Sequence, residues 1–225
     1  MKCYPVSVPH NELIEEAFPD PEWNGNSSTS AAYRGLSEED DEDVRRDSLK
    51  AFKRLWMCHA PRRVQAIVWK LLEERMPTKD NLARRGGQHQ PDNLTCKLCG
   101  EDDQTQSHLF FQCQFTTEIW NSCYKWFKVD MVPHNIPFRH LLQHGHLFGN
   151  DKKSKKATTV WACIIWLIWK AIHDYIFNNL ALDSAKTCEL VKGRVWAWLH
   201  SKFPMGNHHM YSKWLNDPNN CFIKS

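Results

Sequence analysis

Residues 96–100 read Cys-Lys-Leu-Cys-Gly, and His108 and Cys113 follow, giving the spacing C-x2-C-x8-H-x4-C. Three thiols and one imidazole are the ligand set of a closed, tetrahedral structural zinc site. The two-residue gap between Cys96 and Cys99 lets one tight turn present both sulfurs to a single ion. Gly100 then stands where such a turn needs positive φ, which glycine adopts without strain. The gap between His108 and Cys113 is about one helical turn, so one short helix could supply both. Four protein ligands leave no position for a catalytic water. The expected cofactor is therefore one Zn2+, held for architecture rather than for chemistry.

The residues around the cluster form further motifs in a fixed order. From Phe52 the chain runs F-K-R-L-W, then P-R-R-V-Q-A-I-V-W-K-L-L, then M-P-T-K-D-N-L-A-R-R-G. It continues C-K-L-C-G and Q-T-Q-S-H-L-F-F-Q-C-Q-F-T-T-E-I-W, ending at Trp120. This stretch resembles the zinc-binding domain that follows the polymerase in plant LINE-type (non-LTR) reverse transcriptases. The resemblance rests on Trp56, Trp69, Pro77-Thr78, Leu82, Arg85, the four ligands and Trp120. Gln104 stands where that family usually carries an acidic residue, at a position that is not a ligand. Weaker likeness extends to Ser30–Tyr33 upstream and to Ile165–Lys170 and Ile176-Phe177 downstream. There the family usually shows Arg-Asn and this chain has Ile172-His173. The resemblance implies an accessory module of a retroelement, here standing alone.

Polymerase and nuclease chemistry have no visible carrier. The Asp pairs are Asp40-Asp41, inside an acidic run, and Asp102-Asp103, inside the zinc loop. Neither lies between β-branched strands, as a two-metal carboxylate site requires. Glycine is scarce, with 9 in 225 residues, and no Gly-rich phosphate loop occurs. The chain is therefore expected not to be an enzyme.

Charge divides the chain more sharply than its net +3 suggests. Residues 1–43 carry net −9, 44–88 net +8, 89–150 net −2 and 151–225 net +6. The change at Val44 suggests a boundary. Glu38–Asp43 reads as a mobile acidic linker, with masking of the basic segment as the alternative. The expected organisation is an acidic, partly disordered segment 1–43, a zinc-binding domain 44–130, a linker 131–156 and a Trp-rich helical region 157–225.

The expected fold is mainly α: a small helical domain organised around one CCHC zinc site, with additional Trp-rich helices. Arg62–Arg75 places Val64, Ile67, Val68, Leu71 and Leu72 on one helical face, with Pro61 at its start and Pro77 as its stop. Thr78 can cap a short helix that ends at Gly86. A third helix begins near Thr116 or Thr117 and stacks Ile119, Trp120, Cys123, Tyr124 and Phe127. Ser184 can cap a fourth, with Cys188, Val191, Val195, Trp198 and Leu199 on one face.

Six cysteines fall outside the ligand set: Cys3, Cys58, Cys123, Cys163, Cys188 and Cys221. They are scattered and read as buried reduced thiols, which suits an intracellular, reducing setting. After Lys2 the sequence is broken by Pro5 and Pro9, with no apolar run of secretory type. His140, His144 and His146 tempt a second metal reading. Without H-E-x-x-H, and with Gly145 among them, they read as surface or half-buried histidines. The longest apolar run, Ala157–Trp169, has 13 residues, short of the roughly 20 that span a bilayer, so no membrane is expected.

Two functions compete at this level. A zinc-fixed scaffold beside a basic segment suggests binding of single-stranded RNA or DNA, with Arg62, Arg63, Lys79, Arg84 and Arg85 neutralising phosphates. The ordinary alternative is that these charges are the wet faces of amphipathic helices. The second function is a protein-interaction module that docks through the Trp161–Trp169 helix. A retroelement remnant with no selected function is a third possibility.

Overall fold

The structure is a computed structural model that describes residues 28–85, 94–147, 149, 151–202 and 208–219. It comprises two compact units, Met1–Arg46 and Asp47–Ser225. Regular structure among the described residues is helical: α1 Ser28–Met57, α2 Arg62–Leu72, α3 Lys79–Arg84, α4 Gln114–Phe127, α5 Pro137–His146, α6 Asp151–Asn178, α7 Ser184–Lys202 and α8 His208–Asn216. One π-helical turn spans His108–Gln112, and one antiparallel bridge pairs Thr95 with Asp103.

In the first unit, Glu38–Asp43 lies within α1 and is not a linker. Glutamate is a good helix former, and Arg46 reaches back to Glu42 at 3.6 Å and Asp43 at 2.8 Å, pairs that support a helix locally.

The second unit is organised around α6, which packs against α2, α4, α5 and α7. From Ala157 to Ile165 every residue of α6 is buried, so no face of that segment meets solvent. α2 turns Val64, Val68, Leu71 and Leu72 inward, as its spacing predicts, while Ile67 is half-buried. Pro61 precedes α2, where its missing N–H costs nothing. α4 begins at Gln114, earlier than the sequence suggests, because Cys113 itself is the residue before its first turn. Ile119, Trp120, Cys123, Tyr124 and Phe127 are all buried on it. The cap of α7 is Asp183, whose carboxylate accepts from the Lys186 N–H at 2.8 Å; Ser184 instead donates to Glu118. Gly86, expected to end α3, lies outside the described residues; Arg85 follows the helix.

The segment 131–156 is not a linker either. It contains α5 and the start of α6, and α5 packs on α6. His140 and His144, expected near the surface, are completely buried, while His146 is exposed. Three of their four ring nitrogens are satisfied internally, and His140 Nδ1 is buried without a hydrogen-bond partner. The Tyr124 hydroxyl lies 2.9 Å from His140 Nε2 and 3.3 Å from His144 Nδ1, and His144 Nε2 meets the Ala157 carbonyl at 3.1 Å. Gly145 sits inside α5 because a Cβ there would come within 2.4 Å of the Arg54 guanidinium.

Lys153–Asn178 is long and apolar enough to cross a membrane by length and composition, and half of its most apolar stretch is buried within the fold. The uninterrupted run counted from sequence stops at Trp169, but the helix continues past Lys170 through Ala171, Ile172 and Ile176. Cys58, Cys123, Cys163 and Cys188 are buried free thiols, whereas Cys3 and Cys221 lie outside the described residues.

Candidate metal centre

Two local devices bring the four candidate ligands together. The first is a tight knuckle. Cys96 N–H donates to the Asp102 carbonyl at 2.7 Å, Gly100 N–H returns to the Cys96 carbonyl at 2.8 Å, and Gln104 N–H pairs with Leu94 at 2.7 Å. Gly100 has φ +76°, so the closure depends on glycine. The second is the π turn. Cys113 N–H donates to the His108 carbonyl at 2.7 Å, across five residues rather than four. On a regular α-helix, residues five apart diverge by about 140° in azimuth. The wider turn brings Cys113 back over His108, which is how the x4 gap serves one ion. Single π turns of this sort concentrate at functional sites.

The ligand atoms of Cys96, Cys99, His108 and Cys113 all lie within 4.8 Å of one another, and Cys99 Sγ is 3.3 Å from His108 Nε2. With Zn–S about 2.3 Å and Zn–N about 2.0 Å, tetrahedral edges come to roughly 3.6 Å. The donor set therefore fits Zn2+ in both chemistry and size. Three of the ligands are buried and Cys99 is half-buried. The hydrogen bond from Cys113 pulls the Cys96 thiol down to about 4 and pushes Cys113 up.

Neighbouring residues orient the ligands. His108 Nδ1 faces the Asp102 carboxylate at 3.5 Å, leaving Nε2 for the ion, an arrangement that fixes the tautomer of a zinc-bound imidazole. Thr105 Oγ accepts from the His108 N–H at 3.1 Å. Gln106 is buried and ties the loop to the end of α2, donating to the Leu71 carbonyl at 2.8 Å and accepting from Met76 N–H at 3.3 Å. Trp120 Nε1 donates to the Phe110 carbonyl at 2.9 Å. The orienting roles of Asp102, Thr105 and Gln106 were not legible in the sequence, because they depend on what these residues meet in three dimensions.

The five basic residues singled out for nucleic acid occupy three kinds of position. Arg62 and Arg63 are exposed in the first turn of α2, and Arg62 also donates to Gln65 at 3.1 Å. Lys79 is half-buried and donates to the Thr95 carbonyl at 2.6 Å, bracing the knuckle. Arg84 is exposed and pairs with Asp80 at 2.7 Å; Arg85 is exposed beside it.

No curated protein and no solved structure matches the chain. The family in question is an accessory zinc-binding domain rather than the catalytic part of its enzyme. All four candidate ligands, and the three residues that orient them, fall inside the stretch 28–120 that matches the family described as zinc-binding in reverse transcriptase.

Proposed function

We propose that this chain is a retroelement-derived accessory module, of the plant LINE type, whose zinc site sets its architecture and which binds single-stranded RNA or DNA without sequence preference. The observation that carries the proposal is the closed Cys3His cluster inside the matched segment. With zinc bound, the four ligands would cross-link the knuckle to the π turn, and Asp102 would hold His108 in register. The ion would serve as a structural Lewis acid with no site for substrate. Arg62 and Arg63 support the nucleic-acid role. They sit exposed at the positive end of the α2 dipole, where basic residues typically cost about 0.3–1 kcal/mol, and an anionic partner offsets that cost.

Protein docking through Trp161–Trp169 has less support, since Trp161 and Ile164–Ile165 are committed to the chain's own core. By the same burial we assign α6 to the core rather than to a membrane. Free thiols at every described cysteine accord with an intracellular setting.

The test is a titration of the zinc-loaded chain with single-stranded RNA and DNA oligomers across salt concentrations. Each phosphate neutralised on a single strand contributes about −0.7 to the log–log salt slope. Arg62→Ala with Arg63→Ala is expected to flatten the slope by roughly 1.4 at unchanged zinc content. Absence of binding even at low salt would refute the nucleic-acid role.

A further inference from the structure

A cleft of about 230 Å3 opens between the C-terminal turns of α1 and the first turns of α6, lined by Lys50, Lys53, Arg54, Met57, Ser154 and Lys155. A water's share of liquid volume is about 30 Å3, so the cleft holds a tetrahedral oxyanion with room to spare. Four of its six lining side chains are cationic and none is acidic.

Ser154 is the informative residue. It is only 5% exposed, and its hydroxyl makes no hydrogen bond. A buried hydroxyl without a partner costs about 1–3 kcal/mol, and native folds rarely leave one without a reason. Ser154 belongs to the first turn of a 28-residue helix, whose N-terminal end carries the positive pole of the dipole. Arg54 is held in place by donating to the Leu142 carbonyl at 3.2 Å. Gly145 makes room for both groups. A Cβ at that position would stand 2.4 Å from Arg54 Nη1 and 3.1 Å from Ser154 Oγ, so the glycine lets guanidinium and hydroxyl converge.

The sequence of this turn runs against ordinary helix design. α6 opens Asp151-Lys152-Lys153-Ser154-Lys155-Lys156, with two lysines in the first turn, where the dipole disfavours cations, and two more directly after it. Lys50 is partly compensated by Asp47 at 3.0 Å, which leaves Lys53 and Lys155 as the cations best placed to meet a ligand.

We propose that this cleft binds a phosphate group, and that the phosphate is a backbone phosphodiester of single-stranded nucleic acid. This extends and rests on the nucleic-acid function proposed above, but places its anchor at residues outside the five basic positions read from sequence. Arg54 and the α6 N-terminus cradle the oxyanion, the Ser154 hydroxyl donates to it, and Lys53 and Lys155 neutralise it.

The test uses the full zinc-loaded chain and a fluorescein-labelled oligo-dT, titrated across salt concentrations. Lys53→Ala with Lys155→Ala is expected to weaken low-salt binding at least tenfold and to flatten the salt slope by roughly 0.7, the share of the one phosphate held there. Lys53 is exposed and Lys155 half-buried, so the pair should fold; a thermal melt checks this, and Lys53→Ala alone gives half the slope change. Ser154→Ala is expected to weaken binding several-fold with the slope unchanged, because it removes a neutral donor. If the unmodified chain binds and the lysine pair alters neither affinity nor slope, this site is wrong while the wider function stands. If the unmodified chain binds neither this oligomer nor a labelled oligo-U at low salt, both fail.

Discussion

At the scale of single residues, the zinc site combines what local sequence encodes with what only contact reveals. Cys96, Cys99, His108 and Cys113 were legible because their spacing along the chain nearly fixes their geometry. The π turn was not: a gap of one helical turn reads naturally as α, and the extra residue is absorbed only because the ligands must share a centre. Cys99→Ser and Cys113→Ser each remove a thiolate, and both variants are expected to purify with little or no zinc by elemental analysis. Full zinc occupancy in either would exclude that residue as a ligand. Asp102 makes a subtler case. Its carboxylate is largely exposed, 3.5 Å from His108 Nδ1, so Asp102→Asn removes an orienting charge without disturbing the core. Loss of such a partner typically lowers metal affinity roughly 10–100-fold. Competition against a chromophoric chelator measures this directly, and wild-type affinity in the variant would show that Asp102 has no such role.

At the scale of helices, α2 and α4 were legible and α5 was not, for one physical reason. The apolar positions of α2 and α4 recur at helical spacing, whereas α5 buries Leu141 and Leu142 beside His140 and His144. Two buried histidines look polar in a sequence, and only the Tyr124 hydroxyl and the Ala157 carbonyl make them compatible with a core. Acidic runs mislead in the same way, as Glu38–Asp43 within α1 shows. The burial of α5 carries a pH signature. Burial holds His144 down to about 3, with a smaller opposing effect from the Ala157 carbonyl, and lowers His140 as well. An unfolded histidine titrates near 6.5. The folded value is depressed, so the stability held by neutral His144 is complete above about pH 6.5 and falls away as the pH drops towards 3. At pH 5 that loss amounts to about 2 kcal/mol. Urea denaturation of the wild type and His144→Gln at pH 7 and pH 5 tests this. Thiolate protonation at the zinc site is common to both proteins and cancels in the comparison. The variant is expected to lose about 2 kcal/mol less than the wild type on acidification. Equal losses would show that His144 does not titrate on unfolding.

At the scale of the molecule, the family match ends at Trp120, in the middle of α4, but the packing does not end there. Phe110 stacks on Trp169 with ring centroids 6.3 Å apart, and Phe111 lies 6.2 Å from Trp120 and 6.5 Å from Trp161. The short stretch His108–Cys113 therefore supplies two candidate zinc ligands at its ends and, from Phe110 and Phe111 between them, two rings to the core around α6. Gln106 adds a buried tie to α2, and Lys79 braces the knuckle from α3. This continuity between zinc loop and Trp-rich helices was hidden in the sequence, where composition suggested a linker at 131–156. It also determines what zinc removal should do. If the loop were a satellite, chelation would unfold residues near 94–113 and leave the helices intact. Because Phe110 and Phe111 are buried in the common core, loss of the ion should loosen the whole unit Asp47–Ser225. Structural zinc contributes directly to folding free energy, so the apo chain is expected to melt at a markedly lower temperature, in one transition, by far-ultraviolet circular dichroism. Adding back Zn2+ should restore the original midpoint. A melting curve unchanged by chelation, or one with a small early step followed by the original midpoint, would show that the zinc loop folds independently of the helices it touches.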